Sequence, residues 1–167
     1  SKLSFGASRT MQIAQRLYQG IDIEGDTVGL ITYMRTDGTN ISKDAIETFR
    51  SYISDNFGNN YLPQSSLNYS GKKAKNAQEA HEAIRPTEIS RNPESLKKYL
   101  SSDQYKLYNL IWSRALSSQM ESAKFDRNTI TLTTDNNETI CKASGSVLKF
   151  DGFLKIYNNQ SKDDDEN

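Results

Sequence analysis

The sequence predicts an α+β fold: a mainly α-helical domain over residues 1–123, followed by part of an antiparallel β-rich domain over 124–157. Three observations predict it. Apolar side chains recur at helical spacing in several stretches before Ala123, and the period changes to alternation after Lys124. A short apolar run, Leu30-Ile31-Thr32-Tyr33, reads as a short strand that ends in a polar turn before a helix. The length of 167 residues suits one ordinary domain or one domain with a piece of another, and the change of period favours the second.

The first helix is expected from a cap at Ser8 to about Gln19, stopped by Gly20, with Met11, Ala14, Leu17 and Tyr18 as its apolar stripe. Gln12, Gln15, Arg16 and Gln19 lie towards its other side. Residues 21–28 read as an acidic loop or hairpin. Three acids in five residues, Asp22, Glu24 and Asp26, resemble a metal-binding spacing, but no downstream Glu completes a calcium loop. A second helix runs from Ser42 to about Asn56, with Ala45, Ile46, Phe49, Tyr52 and Ile53 facing the core and Gly58 closing it.

Residues 59–76 form a polar loop that includes Lys72, Lys73 and Lys75. Good helix formers predict a helix over 77–85, ended by Pro86, which would put Gln78, His81 and Arg85 on one face. Asn92-Pro93 opens a short helix through Leu100. A longer helix starts at Ser102 or Asp103 and reaches Ala123, with Leu107, Leu110, Ile111, Trp112, Leu116 and Met120 inside. Tyr105, Tyr108 and Trp112 could stack on bases, but core packing is the better expectation. Strands are expected over 128–134, 138–143 and 147–157 as a small meander with turns at Asp135-Asn136-Asn137 and Ser144-Gly145-Ser146, and the polar residues 158–167 as a disordered acidic tail.

Lys+Arg and Asp+Glu number 21 each, which argues against a strongly basic nucleic-acid binder. Four of the acids lie in the last five residues, leaving 21 basic against 17 acidic side chains on residues 1–162. That balance permits a local phosphate-binding patch. Cys141 is the only cysteine, so an internal disulfide and a cysteine zinc site are both excluded, and a reducing cytosol is the expected compartment. No apolar run approaches the ~18–20 residues that cross a bilayer, and the first residues lack a signal-peptide core.

The chemistry concentrates in Thr32-Tyr33-Met34-Arg35-Thr36-Asp37-Gly38-Thr39-Asn40. In an extended backbone Tyr33, Arg35 and Asp37 share one face. A phenol with a pKa near ~10 needs a base or a cation to act as a nucleophile. Arg35 supplies that cation, and its planar fork suits a phosphoryl centre. The same trio also fits a partly buried tyrosine beside a structural Arg–Asp ion pair.

The full string closely resembles the active-site tyrosine motif of bacterial type IA DNA topoisomerases. Met11-Gln12-Ile13-Ala14-Gln15-Arg16-Leu17-Tyr18 looks like the helix leading into that motif. Gln78-Glu79-Ala80-His81-Glu82-Ala83-Ile84-Arg85-Pro86 looks like the family's histidine motif. Leu107-Tyr108, Ile111-Trp112 and Gln119-Met120 add a fourth match. The resemblance covers nearly the whole chain, in order. Gln19, where many relatives carry Glu, and Gly38, where Ser is frequent, depart from it.

The resemblance implies a segment of an enzyme that relaxes negatively supercoiled DNA by cutting one strand, passing another and resealing, without ATP. Tyr33 would form a 5′-phosphotyrosine; Arg35 would stabilise charge, and Asp37 and His81 would orient the site. Gln15, Thr32, Thr36, Asn40 and Arg85 would support the site or contact DNA. Magnesium would be bound by a toprim domain outside this chain, and single-stranded and negatively supercoiled DNA and the parent enzyme's remaining domains would be the partners, in the cytoplasm at the nucleoid. The segment alone would be inactive. The 124–157 strands would belong to a β-rich arch. A single-stranded-DNA-binding module without catalysis is the alternative; a relaxase-like nuclease would need a histidine cluster, and His81 is the only histidine.

Overall fold

The computed structural model describes residues 2–69, 81–133 and 140–157, and is α+β. It divides into two compact units, Ser1–Met120 and Glu121–Asn167. The lysines at 72, 73 and 75, the Gln78 position and the tail over 158–167 lie outside the described residues.

In the first unit, helix α1 spans Ala7–Gln19 and ends at Gly20. Gly6, not Ser8, holds the N-cap position, and it caps with no side chain. The buried stripe is Ile13, Ala14 and Leu17, so the helix is rotated from the expected face and leaves Met11 and Tyr18 exposed. Strands β1 (Ile21–Ile23) and β2 (Asp26–Val28) form a tight antiparallel hairpin in which Ile21 pairs with Val28. Helix α2, Lys43–Phe57, starts at Ser42, whose hydroxyl accepts from the Ala45 amide, and buries Ala45, Phe49 and Ile53. Acceptance of that amide is the usual work of a serine N-cap.

Asn92 caps α3, which is only Pro93–Leu96 rather than reaching Leu100. Helix α4, Ser102–Ser117, is shorter than expected at its far end, and Ser101 and Gln104 form a reciprocal capping box at its start. Its buried face carries Leu107, Tyr108, Trp112 and Leu116. Two polar ends on this helix reach the segment before α3: the Tyr108 hydroxyl donates to the Arg91 carbonyl at 2.7 Å and the Trp112 indole N–H to the Ile89 carbonyl at 2.9 Å. Burial of such aromatics requires these partners, and the bonds pin residues 86–91 against α4.

Two expected elements are absent from the described residues. Residues 30–33 form no strand but a single antiparallel bridge, Ile31 to Pro86. Leu30 and Ile31 are buried one after the other and Met34 is buried again, which breaks the alternation a half-buried strand needs. Residues 81–85 are not helical. Their backbone groups are taken by distant partners: the Ala83 amide donates to the Asn40 carbonyl at 2.9 Å, and the Arg85 carbonyl accepts from the Thr32 amide at 2.9 Å. Those bonds, with Pro86 next in sequence, replace an intrahelical ladder.

In the second unit β3 (Lys124–Thr133) pairs antiparallel with β4 (Ile140–Phe150), from Lys124 opposite Phe150 to Thr133 opposite Ile140. The expected three-stranded meander is therefore a two-stranded ladder among the described residues. Ser144-Gly145-Ser146 is no turn: Gly145 pairs with Asn128, and the Ser144 and Thr129 hydroxyls bond across the strands at 3.0 Å. A continuous ten-residue β3 keeps β4 paired through the glycine. Beyond Phe150 the chain turns at Gly152 and Phe153, and residues 154–157 are helical rather than extended. No described helix is long and apolar enough to cross a membrane.

Candidate active site

Tyr33 sits at the end of a stretch fixed by two neighbours. On one side, the Leu30 amide donates to the Leu17 carbonyl at 2.8 Å, joining the stretch to the last turn of α1. Gly29 makes this approach possible, because a Cβ there would lie 2.8 Å from the Tyr18 carbonyl oxygen. On the other side, the Thr87 amide and hydroxyl donate to the Leu30 and Gly29 carbonyls at 3.0 and 2.8 Å. Residue 87 belongs to the segment that Tyr108 and Trp112 hold on α4, so Tyr33 inherits its position from the core.

Thr32 completes the anchor. Its hydroxyl donates to the Ala83 carbonyl at 2.8 Å and accepts from the Arg85 amide at 3.0 Å. Arg85 turns its guanidinium on Glu82 through two bonds, at 3.0 and 2.8 Å, and donates to the Pro86 carbonyl at 2.9 Å. Glu82 also accepts from the Ser42 amide at 3.3 Å, tying the histidine segment to the start of α2. With its side chain only 13% exposed, Arg85 is a brace of this segment. Thr32 and Arg85, expected to support the site or contact DNA, use their hydrogen-bonding groups to hold these segments together.

These anchors bring three rings together. The Tyr33 ring, half-buried, lies 4.7 Å from the His81 ring with the planes inclined at 46°. It lies 5.5 Å from the Tyr18 ring in an edge-to-face arrangement at 72°. The Tyr18 contact was not legible in the sequence, where helical spacing assigned that residue to the buried stripe. A tyrosine three residues from Gln15 on α1 was the only signal.

Arg35 and Asp37 are exposed, and among the described residues neither makes an ion pair or a hydrogen bond. The structural Arg–Asp pair that the spacing also allowed is not formed. His81 and Asp37 make no hydrogen bond with each other; His81 meets Tyr33 through its ring. Between these groups, Thr36 accepts from the Gly38 amide at 2.9 Å and so closes the turn with its hydroxyl. A Cβ on Gly38 would collide with the His81 carbonyl, so the missing side chain lets the turn pack directly on the histidine segment. The Asn40 carbonyl accepts from Ala83, and Gln15 is half-buried on α1 one turn before Tyr18.

The far side of this loop is strapped to α4. The Thr39 hydroxyl donates to the Tyr69 carbonyl at 3.1 Å, and the Tyr69 hydroxyl to the Ser118 carbonyl at 3.0 Å. Next to Ser118, the buried Gln119 amide both donates to the Leu67 carbonyl at 2.9 Å and accepts from the Leu67 amide at 3.2 Å. The Gln119-Met120 match in the sequence is accounted for by this clamp and by the burial of Met120.

The three acids of the β1–β2 hairpin do not converge. Asp22 accepts from the Gly25 amide at 3.1 Å, and Glu24 accepts from the Tyr99 hydroxyl at 2.6 Å with Lys98 beside it. The Tyr99 bond first and the Lys98 charge second hold the Glu24 carboxyl below the usual carboxylate range. Among the described residues no group of three His, Cys, Asp or Glu side chains is placed to hold a metal ion. The described donors of this chain therefore do not fit a magnesium site.

The family described as DNA topoisomerase matches residues 1–167. A Rickettsia prowazekii protein named DNA topoisomerase 1 is 53% identical over 165 residues, covering 99% of this chain and 21% of that protein. Its namesake in Helicobacter pylori strain 26695 is 47% identical over 163 residues, covering 98% of this chain and 22% of its own. Among solved structures, full-length topoisomerase I from Thermotoga maritima superposes with a TM-score of 0.79 at 40% identity, over 93% of this chain and 24% of that one. The chain spans about a fifth of the curated relatives it matches, and it belongs to the DNA topoisomerase family.

Proposed function

We propose that this chain is the nucleophile-bearing segment of a type IA DNA topoisomerase, which relaxes negatively supercoiled DNA through a transient single-strand break. The observation that carries the reading is a half-buried Tyr33 held against His81 and Tyr18, followed two residues on by an exposed Arg35 whose charge no carboxylate among the described residues neutralises. Such a guanidinium is available to an anion, and the tyrosine is pre-positioned by its ring contacts.

The Tyr33 oxygen attacks a backbone phosphorus, forming a Tyr–O–P bond as the P–O3′ bond breaks. The phenolic proton passes to solvent, and the departing O3′ takes one up. The product is a 5′-phosphotyrosine and a free 3′-hydroxyl, and reversal reseals the strand. One phosphodiester replaces another, so no ATP is consumed. Arg35 stabilises the charge on the phosphoryl oxygens and on the phenolate, which a Lys would do with less geometric control. Asp37 and His81 orient phosphate and tyrosine, and Gln15, Thr36 and Asn40 line the approach of the strand, while Thr32 and Arg85 act by bracing it. Magnesium would be held by a toprim domain of the full-length protein, outside this chain, and would supply neutralisation of phosphate charge there.

On this reading the 167-residue chain does not relax DNA alone. Trapping labelled single-stranded DNA on the full-length protein with magnesium tests the proposal: wild type forms a denaturant-stable adduct and Tyr33→Phe forms none. An adduct that persists in Tyr33→Phe, with salt-dependent binding retained, favours the second reading, a single-stranded-DNA-binding module without catalysis by this tyrosine.

A further inference from the structure

Tyr18 is the one aromatic at the site that the proposed chemistry leaves unused. It is 41% exposed, whereas its neighbour Leu17 is fully buried. Among the described residues its hydroxyl makes no hydrogen bond, so neither core packing nor a polar anchor accounts for the ring. Its position is nonetheless built. The backbone around it is clasped by the Leu30 amide on the Leu17 carbonyl and by Gly29 against its own carbonyl, and its ring meets Tyr33 edge-to-face at 5.5 Å. An edge-to-face contact uses only part of a ring's surface and leaves a face for another flat partner.

We propose that the open face of Tyr18 stacks a nucleobase of the strand whose phosphate meets Tyr33, so that α1 carries a base subsite directly beside the nucleophile. This rests on the reading of Tyr33 as the nucleophile. An unpaired base adjoining the attacked phosphate is tethered within reach of a ring 5.5 Å from Tyr33. The ring is uncharged, and every base has a π-face, so the subsite requires an unstacked, single-stranded nucleotide without selecting its identity. Of Tyr105, Tyr108 and Trp112, the aromatics whose stacking the sequence allows, Tyr108 and Trp112 are buried with their polar ends bonded to Arg91 and Ile89 and cannot serve, and the Tyr105 hydroxyl donates to Glu94. Stacking at Tyr18 fixes the sugar on one side of the phosphate and thereby aligns phosphorus with the Tyr33 oxygen.

The test measures equilibrium binding of labelled single-stranded DNA to the full-length protein in a Tyr33→Phe background, which removes cleavage and keeps the ring that Tyr18 touches. Abasic nucleotides are placed in turn at each position flanking the cleavage site. Tyr18→Ala is expected to weaken binding of intact DNA by about tenfold. Tyr18→Phe should bind within about twofold of the protein that keeps Tyr18, because the stacking face is retained. One abasic position should erase the difference between the protein that keeps Tyr18 and the Tyr18→Ala variant. 2-Aminopurine at that same position is expected to lose fluorescence on binding to the protein with Tyr18 and not to the Tyr18→Ala variant. An unchanged affinity in Tyr18→Ala, or a loss that is the same at every abasic position, overturns the subsite and makes Tyr18 a prop for Tyr33. Failure of the nucleophile reading is seen separately, as an adduct that survives Tyr33→Phe.

Discussion

The His81 ring lies 4.7 Å from the Tyr33 ring and inclined to it by 46°, although 47 residues of sequence separate them. The histidine is exposed, so it guards an open side of the tyrosine rather than filling a core. Its replacement by alanine is expected to lower adduct formation by the full-length protein roughly a hundredfold. The melting temperature should move little, because an exposed side chain with no buried partner contributes little to stability. Parallel trapping and thermal unfolding of His81→Ala check both halves, and an equal loss of both would reassign His81 to structure.

Arg35 is exposed and makes no ion pair among the described residues, so its removal disturbs the fold little. Arg35→Ala is expected to slow single-turnover cleavage by roughly 10²–10³-fold, the size of a lost charge-stabilising donor. Arg35→Lys should recover only part of the rate, since an ammonium cannot make the two-point contact. Full recovery by lysine would show that charge alone is needed.

Thr32 acts through its two bonds to Ala83 and Arg85. Thr32→Val keeps the shape and removes the hydroxyl, leaving both partners without it at a cost of about 1–3 kcal/mol. Thermal unfolding of the 167-residue chain should show that loss, and Thr32→Ser should restore it. Adduct formation should fall with Thr32→Val and return with Thr32→Ser. A variant as stable as wild type but defective in DNA binding would instead make the hydroxyl a strand contact.

Helices α1, α2 and α3 and their caps at Ser42 and Asn92 were legible because helix signals are local. So was the inward placement of Leu107, Trp112, Leu116 and Met120. The conformation of residues 81–85 was not. Good helix formers there lose to bonds with Thr32 and Asn40, more than 40 residues away, and no periodicity carries that information. Tyr18 failed for a related reason. Spacing places Met11, Ala14 and Tyr18 on adjoining faces of α1, but only the packing of other segments decides that Ile13, Ala14 and Leu17 are the covered ones. In the candidate site, Tyr33, Arg35, Asp37 and His81 were singled out by residue type and order, and their roles are a proposal. That His81 meets Tyr33 by its ring, and that Arg35 and Asp37 stay apart, was not readable.

Tyr108 ties stability to alkaline pH. Burial, the largest effect, pushes its phenol well above the usual tyrosine value, and its hydroxyl donates to the Arg91 carbonyl. Unfolding returns the pKa to about 10, so below that pH the shift makes no difference to stability. Above it the unfolded chain ionises first, and stability falls by about 1.4 kcal/mol per pH unit until the folded group titrates too. Denaturant unfolding between about pH 8 and about pH 11 should therefore show stability falling less steeply in Tyr108→Phe than in wild type. Parallel curves would contradict the burial of the neutral phenol.

Whether Tyr33 carries the broken strand is read from the site and polarity of the covalent link. Full-length protein trapped on single-stranded DNA would be digested with nuclease and trypsin and the modified peptide sequenced by mass spectrometry. A nucleotide joined through its 5′-phosphate to Tyr33 is expected, in the tryptic peptide spanning residues 17–35, with Tyr18 of the same peptide unmodified. A nucleotide on any other residue, or one joined through its 3′-phosphate, would contradict it.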